Sequence, residues 1–289
     1  MAIKSYKGFD KNLRCRGFQY KIGGIYEMDG KIKMRNRGFH ACESPFDVFD
    51  YYTMIDSRFC EVEQDGNISK RDRGTKICSS KIKIKAELKL ADMINLGVEW
   101  LKEITSPKKI KTSIKDNSSG NHAKIGSSGD EAQIGSSGYG AKIGSSGHGA
   151  RIGSSGYGAK IGSSGNDARI GSSGNDARIG SSGNNAQIGS SGYGAQIGSS
   201  SDGAKISSSG YGAKIDSTGE DCVIMCAGIN SVAKASKGSW VTLSEWSYSE
   251  EKQRYIPICV KTEFVDGEKI KADTYYSLKG GVFVEWIND

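Results

Sequence analysis

The chain has 289 residues, with 40 Lys+Arg against 33 Asp+Glu for a net charge of +7, 40 Gly, 3 Pro and 7 Cys. That length allows one to three domains, and an odd cysteine number without a Cys-x-x-Cys pair argues against a disulfide framework and for a reducing compartment. No apolar run approaches the ~18 residues of a membrane span, and the start Met-Ala-Ile-Lys-Ser-Tyr lacks the charged-then-apolar leader pattern; a soluble, cytoplasmic chain is the expectation.

Residues 1–110 read as an α+β domain. Residues 3–9 predict a strand and residues 18–26 a second, broken at Gly23-Gly24. Asp29-Gly30 is a hairpin signal leading into a strand at 32–34. After Gly38-Phe39-His40-Ala41-Cys42, Ser44 suits a helix cap, Pro45 the first helical position and Asp47 the first turn. Phe46, Val48, Phe49 and Tyr52 would be its buried face. Residues 58–63 and 76–90 read as strands, the second alternating Ile77, Ile82, Ile84, Ala86 and Leu88 with lysines. Residues 91–105 predict an amphipathic helix with Met93, Ile94, Gly97, Trp100, Leu101 and Ile104 on one side, closed by Ser106-Pro107. A basic join, residues 108–117, follows.

Residues 111–239 are organised by a repeat. Isoleucine returns every nine residues twelve times, from Ile125 to Ile224, inside the unit Ala-x-Ile-Gly-Ser-Ser-Gly-x-x. A fixed period of small and apolar residues marks a repeat architecture. Nine residues fit no heptad, the glycine and serine content opposes a helix, and collagen would need Gly at every third place. A flexible Gly/Ser linker has no reason to keep an apolar residue in register. The expected structure is a β-solenoid, with short Ala-x-Ile strands whose Ala and Ile point inward and Gly-Ser-Ser-Gly corners. The four repeat tyrosines, Tyr139, Tyr157, Tyr193 and Tyr211, fall only in alternate units, which favours two units per 18-residue coil. About six coils at a strand spacing of ~4.8 Å would make a rod of roughly 25–30 Å.

The residue between Ala and Ile is expected to point outward. On the tyrosine side this gives Lys124, Lys142, Lys160, Arg178, Gln196 and Lys214; on the other, Gln133, Arg151, Arg169, Gln187 and Lys205. Either row serves as a solvated face that keeps the sheets soluble. A basic, tyrosine-edged surface also suits a polyanion such as single-stranded nucleic acid, and the tyrosine edge equally suits self-association into an oligomer. A calcium roll would need Asp in the glycine turns. Cys222 and Cys226, with no histidine nearby, read as packing residues of the last coil.

Residues 240–289 read as a small β-rich cap: strands at 240–246 and 256–265, the Asp266-Gly267 turn, strands at 268–272 and 274–278, the Gly280-Gly281 turn and a strand at 282–287. The fold class is thus an α+β N-terminal domain, a β-solenoid of nonapeptide repeats and a β-rich C-terminal cap.

Three stretches near the start, Tyr6-Lys-Gly-Phe-Asp, Cys15-Arg-Gly-Phe-Gln-Tyr and Gly38-Phe-His-Ala-Cys-Glu-Ser-Pro-Phe-Asp-Val-Phe-Asp-Tyr-Tyr, resemble a family common in phages and prophages of gut bacteria. The closing Val265-Asp-Gly-Glu-Lys-Ile-Lys-Ala-Asp-Thr-Tyr-Tyr-Ser-Leu-Lys is similar to the end of the same family. The resemblance brings no established activity; it implies a mobile-element origin and, with it, dealings with a host or its defence machinery. The repeats also resemble the head repeats of trimeric bacterial adhesins, whose coiled-coil stalk is missing here.

Catalytic signals are sparse. Among three histidines, His122 and His148 occupy variable repeat positions, and His40 lies two residues from Cys42, where a packed His beside a buried Cys is the simpler reading. There is no metal-ligand cluster, P-loop, dinucleotide fingerprint or nucleophile elbow, and no cofactor is expected. The order of Tyr-Lys-Gly, Gly-Phe-His-Ala, Tyr51-Tyr52 and a strand carrying Glu61 resembles the ADP-ribosyltransferase plan, although residues 5–9 lack the His or Arg which that plan places on its first strand. Two function classes follow. In the first, a non-enzymatic binding protein displays its solenoid to a host protein, a nucleoprotein complex or nucleic acid, for example as an inhibitor of CRISPR-type defence. In the second, the N-terminal domain is a nucleotide-using enzyme with His40, Tyr51 and Glu61 at its site, and the solenoid is a spacer. An adhesin-like structural protein is a third alternative.

Overall fold

The computed structural model describes residues 2–70, 74–105 and 115–287. The expected helix stop at Ser106-Pro107, the domain limit at residue 110 and most of the basic join lie outside these residues. The chain divides into two compact units, Met1–Trp100 and Leu101–Asp289.

In the first unit, four strands pair antiparallel in a closed ring. Arg58–Lys70 and Phe39–Cys42 each pair with both Ile3–Phe9 and Lys76–Leu88, and Ile25–Glu27 adds to the edge of Lys76–Leu88. Closure removes the exposed edges that a small sheet would otherwise present. Phe9, Val62, Ile82 and Ile84 share one apolar core. Gln64 is buried with full partners: Ser5 Oγ donates to its Oε1 at 2.8 Å, and its Nε2 donates to the Phe39 carbonyl at 2.9 Å. The helix Leu90–Thr105 buries Met93, Ile94 and Val98. Gly97 admits Phe46, whose ring would stand 2.4 Å from a Cβ at that place.

Three local expectations change. The helix after Ser44 is one turn, Pro45–Val48, and the Ser44 hydroxyl makes no cap bond. Residues 32–34 form no strand; a Lys33–Arg37 bridge closes a turn in which Arg35 takes a left-handed φ of +68°. Ile104 is 45% exposed, because the apolar stripe ends a turn before the helix does.

The second unit is the solenoid and its cap. Parallel strands in exact 18-residue register build two sheets, each of nine strands counting the cap. There are about seven coils rather than six, since the degenerate strand Lys115–Ser118 and the greasy strand Val223–Cys226 join the same sheet. At ~4.8 Å per coil the stack is about 34 Å long.

The strand is x-Ile-Gly-Ser, not Ala-x-Ile. Arg151–Ser154 alternates exposed, buried, exposed, buried, so the first serine joins isoleucine inside and glycine faces out. Alanine, fully buried, sits just before the strand. The corners are therefore Ser-Gly-x-x. Their glycine is dictated by packing between coils: a Cβ on Gly174 would lie 2.0 Å from the Gly156 carbonyl oxygen, and Gly156 bears the same relation to Gly138. The place before alanine is left-handed, filled by Gly158 (φ +64°) or by Asp167 (φ +56°), residue types that tolerate that region. The variable place before it carries its own ladder, with Asn175 Oδ1 accepting from the Tyr193 amide and Asp202 Oδ1 from the Glu220 amide, each at 2.9 Å.

In the cap, Trp240–Ser249 continues one sheet in parallel and Arg254–Phe264 returns antiparallel beside it. Tyr276–Lys279 and Val282–Glu285 close the other sheet. Residues 268–270 form a bend and residues 272–273 a turn in place of the strand expected at 268–272. Cys222 and Cys226 are buried, and burial pushes the Cys226 thiol up to about 12.

Candidate functional site

Both ladders lie on the outer sides of their sheets, but only one side is open. Beside the tyrosine-bearing units, Lys142 is 9% and Lys160 4% exposed. Lys214 is held under Tyr275 and Trp286, its Nζ 4.3 and 4.2 Å from their ring centroids. The expected contact face of Lys124, Lys142, Lys160, Arg178 and Lys214 is therefore no continuous solvent surface. Periodicity fixes which side of a pleat a residue takes, not whether that side meets water.

The opposite sheet carries the open row. Strand pairing aligns Gln133, Arg151, Arg169, Gln187 and Lys205 one above another, and the row continues into Val223, Trp240 and Phe264. All eight are exposed. Arg151, Arg169 and Lys205 form no ion pair with any described carboxylate. Beside them Gly135, Gly153, Gly171 and Gly189 make a floor without side chains, and cations, isoleucines and glycines together line an open groove of about 990 Å³. The far side of the floor is a row of serines, Ser137, Ser155, Ser173 and Ser191. The chain then turns through the corner that bears the tyrosines.

That corner is ordered as the sequence suggested. Tyr139 and Tyr157 stack, as do Tyr193 and Tyr211, with Asn175 between the two pairs. His122 meets Tyr139 edge-on at 5.3 Å. The apolar end of the row escaped the sequence reading. Val223 lies one coil beyond Lys205, so the period already placed it there. Trp240 is shifted by one residue from that period, and Phe264 enters only through the antiparallel return strand.

The row's positive charge is local. Residues 1–114 carry 23 Lys+Arg against 15 Asp+Glu, whereas residues 115–289 carry 17 against 18. The chain's excess therefore lies in its N-terminal part, where a second site is found. A cleft of about 1140 Å³ opens there, with Lys7, Arg16, Arg35, Lys76, His40 and Tyr51 among its walls. Glu61 is not part of it and pairs with Lys4 at 2.9 Å. The structure thus brings together two of the three residues of the transferase plan. His40 Nε2 already accepts the Arg35 amide at 3.0 Å. Burial, with Lys76, Lys7 and Arg16 close by, pulls the imidazole down to about 4, so it is neutral at pH 7. Burial likewise pushes the Cys42 thiol up to about 12, which keeps it protonated.

Among the described residues no group of His, Cys, Asp or Glu is placed to hold a metal ion, and no helix is long and apolar enough to cross a membrane. All seven cysteines are free thiols. Residues 3–96 match a family described as a domain of unknown function (DUF7666). No curated protein and no solved structure matches the chain.

Proposed function

We propose that the chain is a non-enzymatic binding protein whose solenoid holds a single strand of nucleic acid along its open sheet. One observation carries this reading: the in-register row in which Arg151, Arg169 and Lys205 give way to an exposed Trp240 and Phe264, 5.1 Å apart. Single strands are held by cations that follow the backbone and by aromatic rings on which bases stack. The glycine floor lets a strand lie close to the sheet. Because every coil is fixed by its neighbours, the face is rigid before binding, and little ordering cost opposes association.

The resemblance of both ends to a phage and prophage family makes a nucleoprotein complex of host defence, in the bacterial cytoplasm, the partner class that we favour. An inhibitor of CRISPR-type machinery is one such case. The test is fluorescence anisotropy of the full chain with labelled single-stranded oligonucleotides over a salt series. Binding that weakens steeply with salt and fails with duplex of the same sequence supports the proposal. Absence of binding at low salt refutes it, and capture of an acidic protein from nuclease-treated lysate would assign the row to a protein partner instead.

A further inference from the structure

Lys7 is a lysine where lysines are rarely found. It is 5% exposed, and fully buried lysines are almost always paired with an acid. No described carboxylate meets it. Its Nζ donates to the His40 carbonyl at 3.0 Å and lies 3.4 Å from Cys15 Sγ. The Phe9 and Tyr20 ring centroids are 5.3 and 5.8 Å away. Cys15 Sγ in turn accepts the Tyr52 hydroxyl at 2.9 Å. Gly8, next in the strand, leaves the space that the Tyr52 ring fills.

Lys7 is part of the wall of the cleft already described, and that wall is strongly one-sided in charge. Arg16, Arg35, Arg37 and Lys76 line it together with Lys7, against the single carboxylate of Glu27. Glu27 is itself engaged by Lys81 at 3.2 Å. Burial and the neighbouring Arg16 both oppose the ammonium form and draw Lys7 below its ordinary range. A desolvated amine next to other cations is the arrangement that makes lysine a nucleophile toward carbonyl groups. The cations around it would hold an anion.

We propose that this cleft takes a small anionic aldehyde or ketone as a covalent ligand, with the Lys7 amine forming an imine to its carbonyl carbon and Arg16 and Lys76 holding its anionic group. The Lys7 lone pair forms the C–N bond as the carbonyl π pair moves to oxygen. That oxygen then leaves as water, carrying both amine hydrogens, and C=N remains. No oxidant or reductant is required. The reading is independent of the solenoid's partner.

The test treats the full-length protein with pyridoxal phosphate as probe, reduces with borohydride and maps the modified lysines by peptide mass. An amine drawn below its ordinary range holds a larger neutral fraction at neutral pH, so Lys7 should be labelled several-fold faster than exposed lysines. Pyridoxal, the same aldehyde without the phosphate, should label Lys7 about tenfold more slowly, and the double variant R16Q/K76Q should erase that difference. Lys7 labelled no faster than surface lysines overturns the imine. Equal rates for the two probes overturn the anion site. Both overturning results are read on the wild-type chain, so neither depends on the folding of a substituted protein.

Discussion

Tyr139 and Tyr157, eighteen residues apart, lie with ring centroids 5.5 Å apart and planes 4° apart. Tyr193 and Tyr211 repeat the arrangement at 5.1 Å and 5°. Parallel rings at the spacing of one coil are what an 18-residue, two-sided coil requires, and a three-unit coil would have placed these tyrosines on different edges. The decoration of the solenoid is therefore in register, and the open row of Arg151, Arg169 and Lys205 inherits that register from the same pairing.

Two glycines of one repeat should answer differently to the same substitution. Gly174→Ala places a methyl 2.0 Å from the Gly156 carbonyl oxygen, whereas Gly171 has nothing within 4 Å of an added Cβ. Overpacking of this kind costs about 1–3 kcal/mol, so Gly174→Ala should lower the urea midpoint clearly. Gly171→Ala should stay within about 0.5 kcal/mol of wild type. Equal effects would mean that the coils do not approach as described.

Beneath the cap's Tyr275 and Trp286, two neighbouring coils are joined by an ion pair on the covered sheet. Asp216 stands where other repeats carry glycine, is buried, and pairs with Lys234 at 2.9 Å. Removing one partner of a largely buried pair leaves the other uncompensated. Asp216→Ala should therefore destabilise by about 2 kcal/mol, discounted from the fully buried case because Lys234 keeps some solvent. Thermal unfolding followed by tryptophan fluorescence, with Trp286 near the site, is the measurement. The double variant D216A/K234M should recover most of the loss.

Stability of the first unit should depend on pH through Lys7. Its folded pKa lies below the unfolded value of 10.5, so the unfolded chain binds more protons and stability rises with pH between the two values. The penalty is absent above pH 10.5, grows as pH falls, and levels off below the folded pKa. K7M removes the group and should flatten this slope, so that its stability relative to wild type is greater at neutral pH than above pH 10.5. A K7M chain with the wild-type slope would show that Lys7 is solvated after all.

Much of this fold is written in the order of residues. Twelve isoleucines at one spacing fix the solenoid, and alternate tyrosines fix its coil. The strand bounds are not legible, because Ala and Ser are both small and both buried; only the alternation Arg151, Ile152, Gly153, Ser154 tells which belongs to the pleat. The choice of face was not legible. Lys214 and Lys205 occupy the same place in the repeat, yet Lys205 is exposed while Lys214 is held under Tyr275 and Trp286 from the far end of the chain. The burial of Lys7 is not legible for the same reason: its surroundings, Cys15, His40 and Tyr20, come from separate segments of the chain.

The most direct measurement of the proposed contact is the salt dependence of single-strand binding for two triple variants. Each phosphate neutralised on a single strand contributes about −0.7 to the slope of log K against log salt. R151Q/R169Q/K205Q should therefore weaken binding at least tenfold and reduce the slope by about 2, and K142Q/K160Q/R178Q should leave the slope nearly as in wild type. The reverse pattern, or no change with either, would contradict the open sheet as the nucleic-acid face.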